Sequence, residues 1–461
     1  MRILLGVLLV LALAAAAVFV VAGRGDAPTI IFLQPAKAIG VDSNLDVTVE
    51  TPKGKFSRID ILLEQGGKST PLFSLTSAAA ASVKQESPDR IRITRPIGKR
   101  ALPDLQAGPA RVVVTAARTT LFGYRTKEAS ASKDFQARFN PPRIAVVSTH
   151  HYVNLGGSEM VVYSVTPPDV ESGVQVGDAI YPGFPASGAG VAGANPDLKV
   201  AFFALLYDQD LGTPIRLFAR DEAGNQAHAQ FDYKVFPKPF LKSRIELTDG
   251  FLQRVVPEIL EHSPELKIAV APGESYLPAF LKVNNDLRRI DAEKIAAMAK
   301  ESAPRTLWQG SFRPLGNAQI ESKFADHRTY FYQGKEVDQQ VHLGFDLAVT
   351  VNIPVLAGND GKVVFADYLG IYGNCVVVDH GMGVQSLYGH LSSIEVKAGD
   401  TVKKDQRIAR SGMTGLAGGD HLHFSIQLQG RPVNPVEWWD RHWIEDRVTR
   451  KLREASSGTA K

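Results

Sequence analysis

Alternation of apolar and polar residues recurs through the first third of the chain and predicts β-strands. The clearest runs cover residues 29–33, 46–50, 58–62, 90–94 and 111–115. Glycine, proline and serine separate these runs at turn-like intervals, a spacing that is typical of a β-sandwich. We therefore expect a β domain over residues 27–140.

A second β-rich stretch follows the Pro-Pro pair at residues 141–142, which marks a boundary. Its strands are predicted at residues 160–165, 198–206 and 215–219, and the turn at 221–225 resembles those of bacterial Ig-like modules. We expect this domain to cover residues 141–239 and both β domains to be Ig-like sandwiches. His150 and His151 are adjacent, so on a strand they point to opposite faces and do not share a metal.

The apolar period changes to a helical one between residues 240 and 307. One predicted helix follows Thr248 and Asp249, which are suited to capping, and its apolar positions are Leu252, Val255, Val256, Ile259 and Leu260. A second is marked by Leu287, Ile290, Ile295 and Met298. The sequence thus predicts a small helical connector.

Short, glycine-separated strands resume near Trp308 and predict an antiparallel β barrel-sandwich over residues 308–440. Three tryptophans, Trp438, Trp439 and Trp443, mark the start of the tail at 441–461, which we expect to be a helix packed by aromatic burial. The predicted fold class is therefore a mainly β multidomain protein with a small helical part.

The N-terminal residues 1–26 contain an uncharged stretch, residues 3–23, directly after Arg2. This stretch is long enough to cross a bilayer and longer than the apolar part of a usual signal peptide. We expect a membrane anchor with Arg2 inside the cell. Val-Val-Ala at 20–22 also satisfies the small-residue rule for cleavage, so a removed signal peptide is the alternative. Either case places the remaining chain in the cell envelope or outside it.

The composition, with 44% hydrophobic and 22% charged residues over 461 positions, is that of a folded protein with about three domains. The formal net charge is +4, and the basic residues are spread out, which argues against a nucleic-acid partner and is compatible with an acidic cell-wall polymer. The single cysteine, Cys375, forms no internal disulfide and lies in an apolar run, so we expect it to be buried.

Candidate chemistry is concentrated in three short motifs near the C-terminus: His342-Leu-Gly-Phe-Asp346, Tyr388-Gly-His390-Leu391 and His421-Leu-His423-Phe424. We expect the first motif to lie on one strand, where His342, Gly344 and Asp346 share a face and the glycine leaves room. The same alternation turns His421 and His423 into one cleft.

Two histidines and one aspartate make a three-ligand set for a divalent cation, with a fourth position open, as in catalytic zinc sites. His390 and one histidine of the pair at 421 and 423 are then left over. A histidine beside such a cation suits a general base or a transition-state stabiliser, because its pKa lies near working pH. The expected reaction is hydrolysis.

These motifs, in this order, resemble the lysostaphin/LytM-type zinc endopeptidases, which cut peptidoglycan cross-bridges. The resemblance extends from about Phe312 to Trp439 and includes residues 354–355, 360–363, 373–381, 396–400 and 412–415. It implies that His342, Asp346 and His423 bind one zinc ion per chain and that His390 and His421 are catalytic. It also implies a peptidoglycan substrate, cleaved at amide bonds of stem peptides or cross-links.

The sequence departs from the family pattern at two positions. Ser425 stands where glutamate is frequent, and Asp420 stands where a neutral residue is usual. Neither change removes a ligand. Asp420 is expected either to orient an active-site imidazole or to be a solvated loop residue. His327 and His380 are expected to be structural, with Arg328 and Tyr330 resembling the family's substrate-side rim.

Several alternatives stay open from sequence. In latent family members an upstream side chain can occupy the open metal position, and Glu274, Asn284 and Asn285 have suitable side chains, although solvated helix surface or caps is the favoured explanation for them. A non-catalytic envelope regulator that activates other cell-wall hydrolases is the alternative function. A third is an adhesion or scaffold protein, in which the Ig-like modules bind an envelope partner or a glycan.

Overall fold

The computed structural model describes residues 2–22, 26–51, 55–76, 82–120 and 124–457, without the side chains of 2–5, 15, 21 and 22. The chain divides into two units. The first unit comprises Met1–Pro142 and Arg220–Ala227, and the second comprises Arg143–Ala219 and His228–Lys461.

Helix α1 (Arg2–Ala22) covers most of the predicted anchor segment 1–26, of which residues 1 and 23–25 lie outside the described part. Among the helices that the structure describes, none is both long enough and apolar enough to cross a membrane.

The alternating runs of the first unit all lie in strands. These are β1 (Thr29–Gln34), β2 (Ala38–Ile39), β3 (Asn44–Glu50), β4 (Phe56–Gln65), β5 (Lys68–Ser74), β6 (Ser82–Ser87), β7 (Arg90–Pro96), β8 (Gly108–Thr120) and β9 (Arg125–Ala137). They form two sheets, in the orders β1-β3-β7-β6 and β2-β9-β8-β4-β5. Val47, Ile59 and Val112 belong to one apolar core shared by both sheets, since the alternation turns every second side chain inward.

The second unit begins with another group of strands. These are β10 (Arg143–Val146), β11 (His151–Asn154), β12 (Ser158–Thr166), β13 (Glu171–Val176), β14 (Ala179–Pro182), β15 (Phe184–Pro185), β16 (Leu198–Ala204), β17 (Ile215–Arg220), β18 (Gln226–Ala229) and β19 (Tyr233–Phe236). One sheet has the order β10-β12-β16-β15, and β11 pairs with β19 in parallel. His151 is buried and bonds Ser148, whereas His150 is exposed, so the two rings face apart as predicted.

The predicted connector begins with a strand, β20 (Lys242–Leu247), and is helical only afterwards, in α2 (Asp249–His262), α3 (Leu277–Lys282) and α4 (Arg288–Ala299). The side chain of Thr248 accepts a hydrogen bond from the Phe251 N–H and caps α2, as its sequence indicates. A π-helical turn, Val283–Leu287, joins α3 to α4. Alternating burial along β20 explains why the helical pattern starts later than residue 240.

The C-terminal region contains thirteen further strands and three helices. These are β21 (Gln319–Ser322), β22 (Asp326–Tyr332), β23 (Lys335–His342), β24 (Phe345–Ala348), β25 (Pro354–Leu356), β26 (Gly361–Tyr368), β27 (Asn374–Asp379), β28 (Val384–Leu391), β29 (Ser393–Ile394), β30 (Thr401–Val402), β31 (Arg407–Arg410), β32 (Leu422–Leu428), β33 (Arg431–Val433), α5 (Pro435–Trp439), α6 (Arg441–Ile444) and α7 (Arg450–Ser456).

The largest sheet of this region has the order β21-β24-β32-β28-β27-β26-β30, with β33 beside β32. The named strands within residues 308–440 pair antiparallel, and the parallel pair β20 with β22 joins a connector strand to them in a smaller sheet, β20-β22-β23. Buried Cys375 lies on β27, as its apolar surroundings predict. The backbone pairing of β20 with β22 joins the connector to the C-terminal region.

Candidate metal centre

His342 and Asp346 lie on two strands and not on one, so the single-strand prediction is wrong. His342 is the last residue of β23. The strand is interrupted at Leu343-Gly344, and Asp346 belongs to the next strand, β24. Asp346 is there paired with His423 of β32. Gly344 is required at the break, because a Cβ atom there would lie 2.5 Å from both Cε1 and Nε2 of His423.

Three potential ligand atoms meet at this point. His342 Nε2 lies 2.9 Å from Asp346 Oδ1 and 3.0 Å from His423 Nδ1, and the latter two atoms are 3.0 Å apart. Bonds of about 2.0–2.1 Å at tetrahedral angles would separate two ligand atoms by about 3.3 Å. Among the described residues, these three form the group that could hold a metal ion. The donor set and its spacing fit a divalent cation.

Neighbouring polar groups fix the orientation of two of the ligands. His342 Nδ1–H points to the carbonyl of Lys323 at 3.1 Å, which leaves Nε2 as the free lone pair. Arg328 Nη2 donates to Asp346 Oδ2 at 2.9 Å, which leaves Oδ1 for the cation. His423 Nε2 is buried without a hydrogen-bond partner. Such outer contacts select the ligand atom and its direction.

His390 and His421 lie beside this group with their rings 4.8 Å apart. His390 Nδ1–H donates to the carbonyl of Thr414 at 2.8 Å, and His421 Nδ1–H donates to that of Gly419 at 2.9 Å. Each ring therefore turns Nε2 away from these carbonyls, and His421 Nε2 is 3.5 Å from Asp346 Oδ1. The structure brings all five predicted site residues together.

Burial and the negative charge of Asp346 set the ionisation of the site. Burial alone would raise the pKa of the Asp346 carboxyl, but the charge of His342 and hydrogen bonds from the surrounding histidines hold that pKa well below its ordinary range. Burial lowers the pKa of His423 to about 4. Burial also holds the pKa of His390 well below its usual value, with added repulsion from His421. Neutral imidazole is the form that binds a cation and accepts a proton.

The five residues open into a cleft of about 580 Å³, which we call the active cleft. Its opposite wall comes from the connector and includes Ile245, Phe280 and Arg288. Sequence reasoning missed this wall. The alternation of side chains along β22 could have identified Arg328 as a neighbour of the site. Asp326, Arg328 and Tyr330 share one face of β22, and Asp326 pairs with His342.

The other candidate residues do not approach the three potential ligand atoms. Asn284 and Asn285 donate to Asp338, and exposed Glu274 accepts from the Ala271 N–H, so none of the three occupies the open metal position. Asp420 accepts from Ser411 and from the Asn352 N–H and is a loop residue.

His380 and His327, which the sequence predicts to be structural, are not among the residues that line the active cleft. His380 is buried between the Asp360 carbonyl and Ser386 and is structural, as predicted. His327 is exposed beside Phe240.

Residues 340–435 match the family model described as peptidase family M23, so the chain carries an M23 domain at its C-terminus and the predicted resemblance is confirmed. The chain is 42% identical to an uncharacterised metalloprotease of Haemophilus influenzae over 134 residues, 28% of each protein. It is 43% identical to the peptidoglycan DD-endopeptidase ShyA of Vibrio cholerae over 96 residues, 21% of this chain and 22% of that protein.

It is also 42% identical to the murein hydrolase activator EnvC of Escherichia coli over 98 residues, 21% of this chain and 23% of that protein. The chain therefore matches only about a quarter of the length of these relatives.

Proposed function

We propose that the M23 domain of this chain is a zinc-dependent endopeptidase that hydrolyses amide bonds in peptidoglycan stem peptides or cross-links. The observation that carries the proposal is the meeting of His342, Asp346 and His423 within one cleft, with the imidazoles of His390 and His421 beside them. The named DD-endopeptidase relative supports the same substrate class.

In this proposal His342 Nε2, Asp346 Oδ1 and His423 Nδ1 hold the zinc ion. When bound, the ion supplies Lewis acidity, which activates water and polarises the scissile carbonyl. His390 uses its free Nε2 to take the proton of the attacking water, because its Nδ1–H is committed to Thr414. His421 is held by Gly419 in the same way and stabilises the charge that develops on the carbonyl oxygen.

The test is release of muropeptides from purified sacculi, followed by mass spectrometry, with bound zinc measured on every sample. His390→Ala should retain zinc and lose activity by about 10²–10⁴-fold, the usual contribution of a positioned acid or base. His423→Ala should lose zinc and activity together. Exposed His442 lies outside the cleft, so His442→Ala is the matched control. Undiminished release by the His390 variant would refute the catalytic assignment.

The likeness to EnvC motivates a second candidate function, activation of another cell-wall hydrolase. The two are separated by one comparison on the same sacculi. A protein that releases nothing alone but stimulates a purified amidase would be an activator, and one that releases muropeptides alone is a peptidase.

For the rest of the chain, we propose Ig-like β modules, a barrel-sandwich catalytic domain and an inner-membrane anchor at residues 1–26 that keeps the domain in the cell envelope. The support for the anchor is the uncharged stretch at 3–23. Fractionation should recover the full chain with membranes and a chain lacking residues 1–26 in the soluble fraction. Equal distribution of the full chain and the shortened chain between the two fractions would refute the proposed anchor.

A further inference from the structure

Arg288 projects into the active cleft from the connector. It is the first residue of α4 and follows the π-helical turn Val283–Leu287 directly. Its side chain lines the cleft that also contains His390 and His423. A π turn inserts an extra residue, which rotates the helix after it, and such turns are frequent at functional sites. The turn therefore sets the direction in which Arg288 points.

Asn284 holds the guanidinium group in place. Arg288 Nη2 donates to Asn284 Oδ1 at 2.8 Å, and Nε donates to the Asn284 carbonyl at 3.2 Å. Asn284 is fully buried, and its Nδ2 donates to Asp338 Oδ2 at 2.8 Å. Both ends of the amide are thus used, which fixes its orientation. These contacts leave the Nη1 and Nη2 edge of Arg288 available.

The charge of Arg288 acts on the buried Asp291 carboxylate, but that carboxylate accepts from the Ile371 N–H and forms no ion pair with Arg288. Within the part of the chain that the structure describes, no carboxylate forms an ion pair with its guanidinium. Arg328, the other arginine that lines the cleft, is paired with Asp346 at 2.9 Å. Arg288 is half-buried, so its side chain is held and not freely solvated. A fixed, unpaired guanidinium edge matches the two oxygens of a carboxylate.

We propose that Arg288 binds a free carboxylate of the peptide substrate on the connector side of the active cleft. The proposal rests on the peptidase function proposed above and narrows its substrate class to peptides with a free carboxylate near the cleaved bond. The connector then completes the substrate site, and Asn284 is a positioning residue that acts through Arg288.

Binding to the metal-free full chain tests this without turnover. The probes are a synthetic dimer of two cross-linked stem peptides with free carboxylates and the same dimer with those groups as carboxamides. Calorimetry should give the wild-type chain about 10- to 100-fold tighter binding of the carboxylate dimer, the range for hydrogen bonds to a charged group. Arg288→Gln should reduce that ratio to about one, and Arg288→Lys, which keeps charge but loses the fork, should give an intermediate ratio.

Arg289→Gln is the matched control, because the neighbouring Arg289 is exposed and paired with Glu293. It should keep the wild-type ratio. Thermal unfolding verifies that each variant is folded, and Arg288→Lys provides the test if Arg288→Gln is not. A wild-type ratio near one, or a ratio unchanged in both Arg288 variants, would overturn the proposal.

The two proposals fail separately. The Arg288 variants can lose the preference for carboxylate while the wild-type protein is inert on sacculi. That result would support Arg288 as a carboxylate site and refute the peptidase function. Hydrolysis of sacculi without any carboxylate preference would do the reverse.

Discussion

The hydrogen atom that serves as the side chain of Gly344 makes room for a ligand. The ring of His423 lies where a Cβ atom of residue 344 would be, and the carbonyl of Phe424 is also within 2.8 Å of that position. Since the neighbour on one side is backbone, the contact cannot be relieved by moving a flexible side chain. The geometry of the metal centre therefore depends on a residue that binds nothing.

Gly344→Ala is expected to displace the His423 ring and weaken zinc binding by about 10- to 100-fold, the range seen when residues that support ligands are changed. Competition with a chromogenic chelator measures this affinity. Gly316→Ala is the control, because a Cβ atom at Gly316 meets open space. Equal zinc affinity of the Gly344 variant and the wild-type chain would show that the ring can shift freely.

The candidate site residues differ in how well they can be recognised from the sequence alone. Five of them lie in recognisable motifs and were predicted individually from the sequence: His342, Asp346, His390, His421 and His423. Arg328 and Arg288 stand in no such motif, and what distinguishes them is the presence or absence of a carboxylate partner. That partner is distant in sequence, so its presence is decided only by folding.

Helix α2 contacts the loop that holds His390 and His421. Glu258 Oε1 accepts from the Gly415 N–H at 3.0 Å and from Tyr368 at 3.2 Å, and Arg254 Nη2 donates to the Ala417 carbonyl at 2.7 Å. The same loop supplies the carbonyls of Thr414 and Gly419 to His390 and His421. A helix outside the region that matches the M23 family is thus connected to the site, because its side chains bind the backbone of the loop that holds the two histidines.

Glu258→Ala should release this loop and lower kcat/KM on sacculi by about 10-fold or more, because small misplacements of catalytic groups are costly. The zinc content should not change, since the three ligands lie on other elements. Glu261→Ala on the exposed side of the same helix is the control. Unchanged kcat/KM would mean that the loop keeps its shape without α2.

The elements were predicted more accurately in kind than in boundary. The alternating runs of β1, β3, β4, β7 and β8 and the cap of α2 are visible in sequence, because period and capping are local. The break between β23 and β24 is not visible in the sequence, and the close approach of Gly344 to the His423 ring at this break joins residues far apart in the chain. The start of the connector as a strand depends on a partner, β22, about eighty residues away.

At the scale of the whole molecule, the C-terminal tail joins the second β region to the catalytic region. Lys451 Nζ donates to Glu159 Oε1 at 2.8 Å, and both side chains are almost fully buried. Trp438 packs against Phe202 of β16 and donates to Ser158. These contacts lie within the second unit, so its β strands and its M23 domain share one core.

Lys451→Met should destabilise the second unit by about 3–5 kcal/mol, because it leaves the Glu159 carboxylate buried without its main partner. Denaturant unfolding measures the change. Arg453→Met is the control, since exposed Arg453 pairs only at the surface with Glu445 and should change stability by less than about 1 kcal/mol. Adding Glu159→Gln to Lys451→Met should recover part of the loss, and equal stability of the single variant and the wild-type chain would contradict the argument.

The sequence by itself determined the strand-rich character of the chain, the helical stretch and the choice of five candidate site residues. These features depend on residue type and short-range spacing, which are local properties. Only the tertiary structure decided that His342 and Asp346 approach from separate strands, that the connector forms a wall of the active cleft, and that Arg288 forms no ion pair with a described carboxylate. Each of these depends on contacts between residues far apart in the chain, and local spacing does not encode the positions of such partners.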